Sequence, residues 1–193
     1  MNNSPVEIFE QWYNHELKQT PVKIPSACCL STNGIDGFPN ARFVSLKDIL
    51  DDNFIITGTL TSRKGVEIKS SEKVALTFWW TETEKQVRIQ GNAKKISDEL
   101  SDKYFFERNR DSQIVSIVSN QGMEINNMQK LFDDYENIEL TFKNKKLKRP
   151  KNWGGYKIEP VRIEFLEFKQ TRFHNRKLFQ LIDSKWQMIQ LQS

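Results

Sequence analysis

Between residues 26 and 96 the chain reads as a run of short strands parted by turn residues, a pattern that leaves few architectures open. The strand candidates are 26–32, 41–46, 54–57, 74–80 and 86–96, and 74–80 is a continuous apolar run. The turn residues Asn33-Gly34-Ile35-Asp36-Gly37 divide the first two. A short helix is expected over 62–71, with Ser62 as its cap. Strand patterns return at 155–168, 172–182 and 185–191, and Asp183-Ser184 fits a hairpin turn between the last two. The intervening segment 97–142 is helical in pattern: Leu100, Tyr104 and Phe105 recur at helical spacing, as do Ile125, Met128, Leu131, Phe132 and Tyr135. Residues 1–20 read as an N-terminal helix. Ser4-Pro5-Val6-Glu7 is a capping box with Pro at the first helical position, and Ile8, Phe9, Trp12, Tyr13 and Leu17 share a face. The order is helix, strands, helices, strands. It predicts an α+β protein with flanking helices, whose antiparallel barrel is completed by C-terminal strands over 153–193. A length of 193 residues suits one domain spanning 1–193.

Composition narrows the function classes. A net charge of +4 is mild and suits anionic small molecules. The most basic run, 143–151, carries no interleaved aromatics to stack bases and reads as a solvated loop, so no nucleic-acid partner is expected. No apolar stretch is long enough to span a bilayer, and the N-terminus has no basic region followed by an apolar run. Cys28 and Cys29 lie side by side in an apolar run and read as buried thiols rather than a disulfide framework. The expectation is a soluble, cytoplasmic protein without membrane contact. With two His and two Cys far apart, no metal site is expected.

The chemistry-bearing residues fall in three segments. Tyr104, Arg108 and Ser112 are spaced i, i+4, i+8, so a persistent helix turns all three the same way. A phenol, a guanidinium and a hydroxyl converging make a phosphate site, although spacing alone also fits an exposed helix face. Ser62-Arg63-Lys64 follows a strand and opens a helix, where backbone N–H groups and two cations attract an anion. Arg42 and Lys47 stand five apart on a strand, on opposite faces if it is regular, so that one serves each of two adjacent ligands. His174 alternates with Arg172 and Arg176 along the 172–182 strand, which sets all three on one side. Cations crowded there want an anion or an electron-rich ring between them. Trp153-Gly154-Gly155-Tyr156 supplies a stacking aromatic. Two anion sites beside ring-handling residues point to a phosphorylated cofactor and a phosphorylated substrate held side by side.

These segments resemble the pyridoxine (pyridoxamine) 5′-phosphate oxidases, a family of FMN-binding split-barrel flavoproteins. The resemblance runs from about residue 5 to 191. It is carried in order by Arg42-Phe43-Val44-Ser45-Leu46-Lys47, Ser62-Arg63-Lys64, Gln86-Val87-Arg88-Ile89-Gln90-Gly91, Arg110-Asp111-Ser112-Gln113, Trp153-Gly154-Gly155-Tyr156 and the stretch 172–176. It implies that Arg42, Arg63, Lys64, Gln86, Gln121, Trp153 and Arg176 contact FMN. Lys47, Tyr104, Arg108 and Ser112 would hold the substrate phosphate, with Arg172 and His174 over the pyridine ring as the catalytic pair. It further implies a homodimer with FMN at the interface and a phosphorylated B6 vitamer oxidised by O2. The chain departs from the family pattern at several points. It has Thr57-Gly58 where Tyr-Thr is usual, Gly122 for Ser, Asn175 for Asp and Ile24 for an acidic residue, and it lacks a basic, Tyr-containing N-terminal arm. Two further readings follow from these departures: a flavin oxidase of another reduced ring, and a non-catalytic flavin-binding module.

Overall fold

The computed structural model describes residues 4–193; the first three residues of the expected N-terminal helix lie outside it. Helix α1 (Pro5–Gln19) opens with the expected capping box: the Ser4 hydroxyl accepts from the Glu7 N–H, and the Glu7 carboxylate accepts from the Ser4 N–H. Strands β1 (Ala27–Asn33), β2 (Pro39–Leu50) and β3 (Asn53–Thr59) follow, then α2 (Arg63–Ser70), β4 (Lys73–Trp80) and β5 (Lys85–Lys95). Three helices come next: α3 (Asp98–Phe106), α4 (Arg110–Val118) and α5 (Met128–Thr141). Strands β6 (Trp153–Glu167), β7 (Asn175–Ile182) and β8 (Lys185–Leu191) complete the chain.

All neighbouring strands run antiparallel, in the order β3-β2-β1-β4-β5-β6-β7-β8, and β3 also pairs with β6. The first six strands therefore close into a barrel, which removes exposed edges from that part of the sheet. Long strand β6 makes closure and extension compatible. Its first half, through Ile158, pairs with β3, while Arg162 to Glu167 pair with β7 along the same edge. Pro160 stands at the handover, opposite Gly91 of β5 and beside a shift of register in that pairing. Strand β2 also divides its partners, pairing with β1 through Ser45 and with β3 from Leu46 onward.

The barrel interior is filled by residues such as Leu30, Phe54, Leu76, Phe78, Val87, Ile89 and Ile163, all buried. Helix α1 packs Phe9 against them, with its ring edge-on to Phe54 and Phe78 at 5.0 and 4.9 Å. A second core joins the outside of β3 and β6 to the helices through Ile55, Ile96, Tyr104, Phe105, Ile114, Leu147 and Trp153.

Two expectations are corrected. Residues 97–142 form three helices, and α3 and α4 are separate because Asn109 caps a new helix, its side chain accepting from the Ser112 N–H. The strand expected over 172–182 begins only at Asn175. Arg172 takes a left-handed conformation at φ +66°, so 169–174 is a turn. The Asp183-Ser184 turn is present, with φ of +47° and +61°, as a tight hairpin requires.

Candidate functional site

A cleft of about 680 Å³ opens between β2, β3, the start of α2, the α3–α4 junction and the start of β6. Arg42, Lys47, Lys64, Arg108, Ser112, Gln121 and Trp153 all line it. Four cations from three segments thus meet in one place. Arg42 and Lys47 share this cleft rather than opposite sides of the sheet. Strand β2 is not regular: a bulge between Leu46 and Asp48 re-aims Lys47.

One end of the cleft is built for an anion. Ser62 precedes α2, but its side chain does not cap the helix; the hydroxyl donates instead to the Thr59 carbonyl at 2.6 Å. The first N–H groups of α2 are therefore left without a side-chain acceptor. Lys64 Nζ donates to Ser62 Oγ and to Gln121 Oε1, both at 2.9 Å. Burial lowers the Lys64 pKa, with nearby Arg42 adding to the effect. A bound anion would relieve both strains. A side chain at Gly58 would meet Lys64 Nζ at 3.4 Å, so the glycine leaves Lys64 its room. Gly122, at φ +87°, holds a backbone conformation that serine adopts poorly.

Arg42 and Arg63 are held from behind by Glu67. Arg42 Nη2 and Arg63 Nε each reach this carboxylate at 2.9 Å, and Arg63 Nη2 reaches Asp36 at 2.7 Å. Burial acts to raise the Glu67 pKa, but bonds from Thr32, Arg63 and Arg42 outweigh it and hold the group below its ordinary value. Arg63 itself does not line the cleft, and its side chain is 59% exposed.

The other end gathers the expected phosphate donors. Arg108 lies in the link between α3 and α4, its guanidinium 5.1 Å over the Trp153 ring. Among the described residues it has no carboxylate partner, and burial lowers its pKa while leaving it charged. Ser112 lies in the first turn of α4. Tyr104 is buried behind the cleft with Lys47 Nζ 5.2 Å from its ring, and its hydroxyl donates to Asp48 at 2.9 Å. Burial, reinforced by Asp48, raises its pKa, so the phenol stays neutral; it does not line the cleft, and its one proton goes to Asp48. Lys47 pairs with Glu107 at 2.7 Å. The stacking role expected of Trp153 meets a ring only 1% exposed, edge-on to Phe105 at 5.3 Å; it acts as a platform under Arg108.

Gln86, Arg172, His174 and Arg176 do not line this cleft. They make a second patch. Gln86 on β5 faces Leu166 on β6, and Leu166 faces Arg176 on β7, so Gln86 and Arg176 share one face of the sheet. Arg176 Nε donates to Glu164 at 2.7 Å. Arg172 and His174 stand in the preceding turn, not alternating along a strand as expected. His174 Nδ1 accepts from the Lys169 N–H at 3.0 Å, which leaves Nε2 as the protonated, outward nitrogen.

Sequence reasoning missed Glu67, Asp48 and Glu107. The i,i+4 spacing of Arg63 and Glu67 is a readable pairing signal. Asp48 and Glu107 reach their partners only through the fold.

A closed antiparallel barrel with helices beside a cation-lined cleft places the chain in the split-barrel class. A family model described as pyridoxamine 5′-phosphate oxidase matches residues 15–142, and one described as the pyridoxine 5′-phosphate oxidase C-terminal dimerisation region matches 153–193. The chain belongs to the pyridoxamine 5′-phosphate oxidase family. It is 37% identical over 190 residues to the pyridoxine/pyridoxamine 5′-phosphate oxidase of Leptospira interrogans, covering 98% of this chain and 88% of that protein. It is 35% identical over 193 residues to the protein of that name from Trichormus variabilis, covering 99% and 89%. Among solved structures, PhzG of Burkholderia lata in complex with tetrahydrophenazine-1-carboxylic acid superposes with a TM-score of 0.94 at 26% identity, covering 100% of this chain and 94% of that one. A pyridoxamine 5′-phosphate oxidase-related, FMN-binding protein from Nostoc punctiforme shares the fold at a TM-score of 0.81 and 16% identity, with both chains fully covered. FMN is the cofactor of this family, and the donor set beside α2 fits its phosphate. No helix among the described residues is long and apolar enough to cross a membrane.

Proposed function

We propose that the whole chain works as one FMN-binding unit, in a homodimer, and oxidises pyridoxamine or pyridoxine 5′-phosphate to pyridoxal 5′-phosphate. O2 is the acceptor and leaves as H2O2; with the amine, water enters and ammonia leaves. We place the enzyme in the cytoplasm, in keeping with its two free thiols. The observation that carries the reading is the meeting of Arg42, Lys47, Lys64 and Arg108 in one cleft beside the start of α2.

Bound FMN supplies the two-electron acceptor. Arg42, Arg63, Lys64 and Gln121 hold it at the α2 end. Lys47, Arg108 and Ser112 hold the substrate phosphate, with Tyr104 behind them and Trp153 fixing Arg108. Arg172 and His174 orient the pyridine ring, and His174 Nε2 exchanges the proton there. Gln86 and Arg176 lie on the second patch with them, so they reach the ligands from the partner copy. A two-fold dimer would then build each site from the cleft of one copy and the C-terminal patch of the other.

Oxygen uptake by the FMN-loaded protein with pyridoxamine 5′-phosphate, matched by the absorbance of pyridoxal 5′-phosphate, is the expected result. A yellow protein that consumes no oxygen with either vitamer would overturn it. The likeness to PhzG favours a second reading, oxidation of another reduced ring. Turnover of such a ring that pyridoxal 5′-phosphate fails to inhibit would select it.

The shared site makes a separate prediction. Arg108→Ala and Arg172→Ala homodimers are each impaired. Mixing and reassociating equal amounts restores about a quarter of wild-type activity, because half the dimers are mixed and each mixed dimer holds one intact site. No recovery on mixing would place both residues in one chain's site.

A further inference from the structure

We propose that Glu67 is a positioning residue for the flavin phosphate: it touches no ligand, and it fixes the guanidinium groups of Arg42 and Arg63. This rests on the assignment of those two arginines to FMN made above.

Glu67 lies on α2 with 0% of its surface exposed, and it does not line the cleft. Its two carboxylate oxygens accept four hydrogen bonds. Oε1 takes Asn40 Nδ2 at 2.7 Å and Arg63 Nε at 2.9 Å; Oε2 takes the Thr32 hydroxyl and Arg42 Nη2. That fills the acceptor capacity of a carboxylate. The Thr32 hydroxyl is used twice, donating to Glu67 and accepting from Arg42 Nη1. Arg42 is thus gripped at both terminal nitrogens, and its planar fork has a set orientation at the cleft wall.

Two physical consequences separate positioning from simple charge. First, arginine side chains lose rotamer freedom when they clamp a ligand, and here that ordering falls on folding rather than on binding. Second, the cluster is nearly neutral: Arg42, Arg63 and Lys64 stand against Glu67 and Asp36. Its long-range pull on a phosphate is small, and its value lies in where the donors point. If Glu67 mattered only as a charge, removing it would raise the local positive charge and tighten FMN. Positioning has the opposite sign.

Glu67→Gln replaces one acceptor oxygen by an NH2 that faces donors, so about two of the four bonds are lost. Thr32→Val removes the shared hydroxyl with little change of shape and tests the same network more gently. Apoprotein is titrated with FMN and with riboflavin, which lacks the phosphate, by quenching of flavin fluorescence. Glu67→Gln is expected to weaken FMN at least about tenfold while moving riboflavin less than about twofold. Thr32→Val shifts the ratio the same way by about threefold, and decides alone if Glu67→Gln does not fold. Unchanged or tighter FMN binding overturns the proposal, as does an equal loss for both flavins, which marks a purely structural role. Arg42→Ala separates the layers. If it leaves the FMN-to-riboflavin ratio at the wild-type value, the assignment of Arg42 to the phosphate fails and the proposal falls with it. If it moves the ratio and the other two variants do not, only the positioning role falls.

Discussion

Arg108→Ala raises the KM for pyridoxamine 5′-phosphate by about 10- to 100-fold, the loss expected when a hydrogen bond to a charged group, worth about 1.5–3 kcal/mol, is removed. Flavin content changes much less, because Arg108 stands at the α3–α4 end of the cleft and not beside α2. The size of the effect follows from the local environment. Arg108 rests on the Trp153 ring and is partly desolvated, with no carboxylate partner among the described residues. Its charge is free for a phosphate, and nothing else compensates its loss there. The phosphate is remote from the reacting carbon, so ground state and transition state bind it alike and kcat falls less than KM rises. Steady-state kinetics of the variant with a matched flavin reading checks this. An unchanged KM would remove Arg108 from the substrate site.

Trp153→Ala is the largest expected loss of stability, about 3–5 kcal/mol, from deletion of a fully buried indole. The ring is 1% exposed and contacts Phe105 edge-on at 5.3 Å. It stands at the first residue of β6, opposite Thr59, where the barrel closes. The Arg149 guanidinium donates to its carbonyl at 2.6 Å, which keeps the strand's start in place and leaves a cavity little freedom to collapse. Against a typical total of about 5–15 kcal/mol, the loss is a large fraction. Denaturant unfolding should show a lower midpoint with an unchanged slope. Trp153→Phe should recover part of it. A midpoint shift worth less than about 1 kcal/mol in the alanine variant would mean that the second core repacks around the hole. The variant also removes the platform beneath Arg108, so its KM should rise as well.

Much of the architecture was legible in the sequence because local signals agreed with the final packing. The Ser4 capping box, the apolar face carrying Phe9 and the Asp183-Ser184 turn each act over a few residues. Where reading failed, a local rule was overruled by a neighbour. Helical spacing of Tyr104, Arg108 and Ser112 suggested one helix, yet α3 ends at Phe106 and Asn109 begins another, and an Asn before Arg110-Asp111 was a readable cap. Alternation of Arg172, His174 and Arg176 suggested a strand, but Arg172 turns left-handed. The bulge that re-aims Lys47 has no sequence signature. In the candidate site, the cations could be picked out from the sequence, whereas of the acids that hold them only Glu67 left a local trace, its i,i+4 spacing to Arg63. Glu67 meets Thr32, Asn40 and Arg42 across more than twenty residues of chain, and no short-range pattern reports such a meeting.

Strand β6 has a consequence for how such a molecule can change over time. The hoop of hydrogen bonds is complete once Ile158 has paired with β3, and the β7–β8 hairpin hangs from the edge that the rest of the strand leaves open while its other edge stays paired with β5. Alterations in the hairpin can therefore redraw what one copy presents to another without reopening the hoop. The two halves of one strand answer to different partners on that edge, β3 for the first and the hairpin for the second, while β5 holds both on the other.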